Sequence, residues 1–185
     1  MKNIIKSIGY SLIGLISIGW ISIILIITMI AKPGDTWLTN FVAEFLIMSE
    51  QLESFNRTFA DVSDGIFALM ALMNIVLLSI TVLFSIGWSA GSHYLNIDAP
   101  GKAKIYFIHW IICTSVFLAI IAFFSLFFLK NTSFDNAFIS GFGVTFLTLL
   151  SLIYYFLVYY IGVLLGTARF ARSSVLLANK LPGGF

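Results

Sequence analysis

The sequence predicts an all-α integral membrane protein with four transmembrane helices, an external amphipathic helix between the first two, and both termini cytoplasmic. Composition is the first reason. The 185 residues are 60% hydrophobic and 10% charged, with a mean hydropathy of +1.05, whereas a soluble domain carries about 45–50% apolar and about 25% charged residues. So apolar a chain cannot cover itself with a water-facing surface, which excludes the soluble enzyme classes. Disorder is excluded because it requires low hydrophobicity and high charge. The second reason is that charge-free windows occur at 7–31, 65–97, 105–129 and 136–168. Each can supply the roughly 20 apolar helical residues that cross a hydrocarbon core about 30 Å thick. The third is that basic residues segregate to one side of these spans.

The first span is expected near residues 8–30. Lys2 and Lys6 before an apolar run imitate a signal peptide. The run exceeds the usual signal length of roughly 7–15 residues, and Met29-Ile30-Ala31 makes a poor cleavage site, so the sequence predicts an uncleaved anchor.

Pro33-Gly34 should end that helix, because proline lacks the amide donor. Asp35 or Thr36 can then cap a new one over residues 36–62. Apolar residues follow at Leu38, Phe41, Phe45, Met48, Leu52, Phe55, Phe59 and Val62, alternately 3 and 4 apart, a heptad seam. The opposite face carries Asn40, Glu44, Glu50, Glu53, Arg57 and Asp61. Three roles fit such a helix: lying on the outer leaflet or its own bundle, pairing with identical neighbours, or docking another protein. Four phenylalanines on the seam disfavour a tight coiled coil. Net negative charge disfavours adsorption onto anionic lipid and favours contact with protein.

The remaining spans are expected near 66–88, 105–129 and 137–168, followed by a cytoplasmic tail over 169–185, all in one membrane domain covering residues 1–185. The last span, 32 residues, would measure about 48 Å at 1.5 Å per residue and so must tilt or project. Lys2, Lys6, Lys102, Lys104, Arg169, Arg172 and Lys180 fall on one side with Asp98, a net +6. Lys32, Arg57 and Lys130 fall on the other with seven acidic residues, a net −4. The positive-inside rule then places both termini in the cytoplasm. Trp37, Trp88 and Trp110 fall near the interfaces, where indoles are favoured.

Within the spans the sequence offers packing groups and no charged chemistry. No Asp, Glu, Lys or Arg lies inside a span, so carboxylate-coupled pumping and voltage sensing lose their usual carriers. His93 and His109 read as interfacial imidazoles bonded to backbone or water; no metal site and no cofactor motif is recognised, and a lone Cys113 excludes an internal disulfide. Asn74 can hydrogen-bond to a neighbouring helix. Gly162 and Gly166 form a G-x-x-x-G, and Ser7, Ser11, Gly14 and Ser17 form a small-residue stripe, both suited to close helix contact. Tyr155 and Tyr159 share a face with Ser151 and Gly162, read either as aromatic packing or as a polar track for a solute. The tail mixes basic and apolar residues, fitting positive-inside anchoring or an inner-leaflet helix.

These features predict a non-catalytic subunit or assembly component of a larger membrane complex, acting by helix packing, in a bacterial inner membrane. Secretion and conjugation machines use many such small subunits. The expected partners are the lipid bilayer and other membrane subunits or a second copy; too few basic residues occur for nucleic-acid binding. Two alternatives stay open: a carrier or channel for an uncharged or lipidic solute, and a membrane immunity or exclusion protein. For the latter, the layout is similar to that of pore-forming colicin immunity proteins, with four spans and both ends inside.

Overall fold

A computed structural model describes residues 2–30, 52–94, 103–132, 141–168, 171, 174 and 175. Among them are four helices: α1 (Lys2–Ile30), α2 (Leu52–Tyr94), α3 (Ala103–Thr132) and α4 (Gly141–Gly166). All four are long and apolar enough to cross a membrane, through Lys2–Ile27, Leu69–His93, Ile105–Lys130 and Val144–Gly166. The chain is thus all-helical and polytopic, as its charge-free windows predict.

Two boundaries differ from the sequence expectation. The external helix was expected to end near Val62 and a new span to begin near Ile66, yet the backbone is continuous helix from Leu52 to Tyr94, 43 residues, or about 65 Å. Nothing between residues 62 and 66 lacks an amide donor, and one interior glycine, Gly65, costs only about 1 kcal/mol relative to alanine. Leu52, Phe55, Phe59 and Val62 therefore belong to the same helix as the second span, whereas Leu38, Phe41, Phe45 and Met48 lie outside the described residues. The last helix stops two residues before the expected Ala168. Its described part spans 26 residues, about 39 Å, residues 137–140 lying outside the described residues, and it ends at Gly166 because the next turn finds acceptors elsewhere. Ala168 donates its amide to Ser92 Oγ of α2 at 3.1 Å instead of to the helical carbonyl four residues back. Beyond it, Ala171 donates its amide to the Ala168 carbonyl at 2.9 Å, and Ala168, Ala171, Ser174 and Val175 are buried.

The chain divides into two compact units, and each helix contributes a segment to both. The first comprises Met1–Gly19, Ser79–Ile120 and Ile153–Phe185; the second comprises Trp20–Leu78 and Ile121–Leu152.

In the first unit the helices alternate in direction. Residues 11, 14 and 15 of α1 meet residues 166, 161 and 162 of α4, so α1 and α4 are antiparallel. Residues 85 and 89 of α2 meet 162 and 166, so α2 and α4 are parallel. Small residues set these distances. A methyl group placed on Gly166 would lie 2.8 Å from Ser11 Cβ and from Ser89 Cβ, and would overlap Ser89 Oγ. One placed on Gly162 would meet Leu15 Cγ at 2.9 Å and Ser85 Oγ at 3.0 Å. On Gly14 it would meet only the flexible end of Leu165 that closely, at 2.7 Å. The α1 stripe is narrower than its spacing implied. Ser7, Ser11 and Gly14 face inward, but Ser17 is exposed and donates to the Ile13 carbonyl at 2.8 Å. At about 100° per residue, Ser17 falls roughly 80° away from Ser7 around the helix.

In the second unit Met70, Ala71, Met73, Asn74 and Leu77 of α2, Ile121, Ser125 and Leu129 of α3, and Val144 and Thr148 of α4 are buried. Outward lie Ile24, Ile27, Phe123, Leu126, Phe127 and Leu149. Buried hydroxyls beneath exposed Ile, Leu and Phe are the arrangement that lipid solvation permits and water does not.

These contacts rank the glycines. Gly166→Ala should cost about 1–3 kcal/mol by overpacking. Gly87→Ala, where nothing lies within 4 Å of the added methyl, should be neutral or gain up to about 1 kcal/mol in helix propensity. Unfolding of the two variants in one detergent, followed by circular dichroism, checks the ordering; equal stabilities would contradict it.

Candidate functional site

The densest collection of polar side chains described here lies in the first unit, where α1, α2, α4 and the start of the tail converge. Ser85, Ser89 and Ser92 fall 4 and 3 residues apart on α2, so one stripe carries all three hydroxyls inward, and all are fully buried. Ser85 Oγ donates to the Tyr159 carbonyl at 3.4 Å, Ser89 Oγ to the Ser85 carbonyl at 2.7 Å, and Ser92 Oγ to the Ser89 carbonyl at 2.8 Å. Trp88 Nε1 donates to Thr167 Oγ1 at 3.0 Å, and Thr167 donates in turn to the Val163 carbonyl. Ser7 Oγ of α1 and His93 Nε2 of α2 share a hydrogen bond of 2.6 Å. His93 was expected in the cytoplasmic connection, but it lies in the last turn of α2 and ties that turn to α1. His109 is exposed and bonds its own helix, Nδ1 to the Ile105 carbonyl at 2.7 Å.

A second collection centres on Tyr159. Its ring stacks on Phe117 of α3 with centroids 4.5 Å apart and planes 21° apart, and Phe84 of α2 packs on Phe117 at 5.5 Å. Its hydroxyl lies 3.4 Å from Thr114 Oγ1 and donates toward Cys113 Sγ at 3.9 Å. Tyr155 meets Tyr154 edge to face at 5.1 Å. Tyr155 and Tyr159 are 1% and 0% exposed, so both rings are enclosed by the protein. Ser151, on the same face, is half-buried.

Each sequence candidate can now be placed. Gly14, Ser11, Gly162 and Gly166 meet one another's helices within this chain, so their close-approach surface is taken up internally. Asn74 is buried and donates Nδ2 to the Met70 carbonyl at 2.9 Å. Tyr155 and Tyr159 are core aromatics. Leu52, Phe55 and Phe59 lie on α2, and the other four seam candidates fall outside the described residues. Trp88 and Trp110 are both buried within the chain, and Trp110 packs against Tyr160 with centroids 6.3 Å apart. Sequence reasoning missed the Ser7–His93 bond and the serine stripe, although the 4 and 3 spacing of Ser85, Ser89 and Ser92 was there to be read.

Among the described residues three buried polar atoms have no hydrogen-bond partner: Ser11 Oγ, Ser125 Oγ and Trp110 Nε1. Ser11 is the informative one, because its Cβ is the surface against which Gly166 packs. There the requirement for a small side chain outweighs the cost of a hydroxyl without a bond, about 1–3 kcal/mol on the scale of soluble proteins. Among the described residues no group of three or more His, Cys, Asp or Glu could hold a metal ion. No family model, no curated protein and no solved structure matches this chain.

If Tyr159 acts through its ring, Tyr159→Phe should cost at most about 1.5 kcal/mol, and Tyr159→Ala about 3–5 kcal/mol. Equilibrium unfolding in detergent separates the two; comparable losses would make the hydroxyl, not the stack, the important group.

Proposed function

We propose that this chain is a non-catalytic subunit or assembly component of a larger membrane complex, held in a bacterial inner membrane with both termini cytoplasmic. The observation that carries this reading is the use made of the buried polar side chains. Ser85, Ser89, Ser92, Thr148, Thr167 and Asn74 bond to backbone carbonyls of this chain, and Tyr159 is stacked within its core. Groups so engaged stabilise a scaffold. A solute path along the Tyr155 and Tyr159 face would require those rings to be open, and they are enclosed.

The orientation is supported by the charge asymmetry, net +6 against net −4. The meeting of Ser7 and Ala168 at the last turn of α2 is consistent with it, since the start of α1 and the residues just past α4 lie beside one another. Because Gly162 and Gly166 are engaged internally, partner contact falls to other surfaces. The foremost is the external amphipathic segment over residues 36–62, whose last part runs directly into α2. A partner for its acidic face would carry complementary basic residues.

Native mass after gentle detergent extraction tests the proposal. Protein drawn from its own host should migrate several-fold heavier than protein produced alone in a foreign host. The same small mass from both sources would contradict the subunit reading.

A further inference from the structure

In the second unit α2, α3 and α4 each bury a polar side chain at a matching depth. Asn74 of α2 lies five residues inside the end of its span at Leu69, Ser125 of α3 five inside Lys130, and Thr148 of α4 four inside Val144, about 6–8 Å of helix in each case. All three are buried, Ser125 completely, and all belong to the same compact unit. Apolar residues close this level on both sides. One turn towards the span ends, Met70, Leu129 and Val144 are buried; one turn the other way, Leu77 and Ile121 are buried. Steps of three and four residues keep these side chains on one face of each helix, so a polar layer lies between two apolar ones.

Hydrogen bonding within the polar layer is unbalanced. Asn74 donates Nδ2 to the Met70 carbonyl at 2.9 Å, and Thr148 donates Oγ1 to the Val144 carbonyl at 2.8 Å. Thr148 then has only oxygen lone pairs left to offer the interior. A serine within a helix commonly donates to a carbonyl three or four residues back, as Ser89 and Ser92 do in the first unit. Ser125 does not: its hydroxyl is buried and has no protein partner. It is also far smaller than Ile121 and Leu129, which occupy the same face of α3 one turn to either side.

An occupant of this layer must be small, must donate as well as accept, and must be uncharged. The size follows from serine standing between bulkier residues, and the donor from the lone pairs of Thr148. Neutrality follows because the layer has no carboxylate to balance an ion, and an unbalanced charge at this depth is costly. Water meets all three conditions, and buried waters typically join about three polar groups that protein partners leave unmet.

We propose that Asn74, Ser125 and Thr148 hold one resident water molecule, sealed between the two apolar layers. It accepts from Ser125 Oγ and donates to Thr148 Oγ1 and to Asn74 Oδ1, linking α3 to α4 and α2. The proposal is independent of any partner protein.

Ser125→Ala and Thr148→Val, separately and together, test it by equilibrium unfolding in one detergent. A hydroxyl with nothing to bond would make Ser125→Ala neutral or stabilising, since alanine is the better helix former. With the water in place, Ser125→Ala should lower the folding equilibrium constant about three- to tenfold. Thr148→Val should then cost clearly less in the Ser125→Ala background than in the unaltered protein, because both side chains act through one molecule. Replacing sodium and potassium by choline should change neither result. A structure in lipid at about 2 Å should show a density peak about 2.8 Å from Ser125 Oγ. Undiminished stability of Ser125→Ala, additive losses, dependence on the alkali cation, or a Ser125 hydroxyl bonded directly to protein in that structure would each overturn the proposal.

Discussion

Close approach of three helices at Gly166 governs the first unit. A membrane protein gains no hydrophobic free energy by bringing helices together, since lipid solvates an apolar face as well as a neighbouring helix does. Dispersion and backbone proximity must supply what water supplies in soluble folds, and both require small side chains where helices cross. At Gly166 the space is so limited that Ser11 of α1 and Ser89 of α2 would obstruct even a methyl group. The consequences run along the helices. Gly162 admits Leu15 and Ser85 one turn away, Ser92 reaches the tail backbone one turn in the other direction, and Ser7 reaches His93.

Short polar side chains suit this arrangement for a second reason. Serine is nearly as small as alanine, and in a helix its hydroxyl can donate to a carbonyl three or four residues back. Ser89 and Ser92 do so, which lets them sit at a crossing without needing water. Larger aromatic residues fill the space where the helices diverge, as the stack of Tyr159 on Phe117 does between α4 and α3. The buried polar residues described in the spans thus serve packing, and the faces turned outward carry Ile, Leu and Phe.

Much of this fold was legible in the sequence. Hydrocarbon thickness imposes a length on every charge-free window, so four helices follow from where Lys and Asp do not occur. Gly14, Ser11, Gly162 and Gly166 were readable as close-contact residues, since only a crossing rewards such small side chains in lipid. Their partner was not readable, because the same motif serves contacts within a chain and between chains. The ends of helices were harder. Local cues set the end of the second span at Trp88, and the helix continues to Tyr94 because Ser92 and His93 find partners in the tail and in α1. The partner of Trp88 was not readable either, as Thr167 is 79 residues away and no local pattern announces it.

The central claim, that the small-residue surfaces are used to join helices of one chain, can be tested by a disulfide. Ser11 Cβ and Ser89 Cβ both lie 2.8 Å from the position a methyl group on Gly166 would take, which keeps them within about 5.6 Å of each other, so cysteines at 11 and 89 in a Cys113→Ala background need at most a shift of about 1–2 Å to reach disulfide geometry. Mild oxidation in membranes should give a cross-link within the monomer, seen as a mobility change reversed by reductant. Bonds forming only between two chains, or none at all, would contradict the account and return the Gly162–Gly166 face to the list of intersubunit contacts.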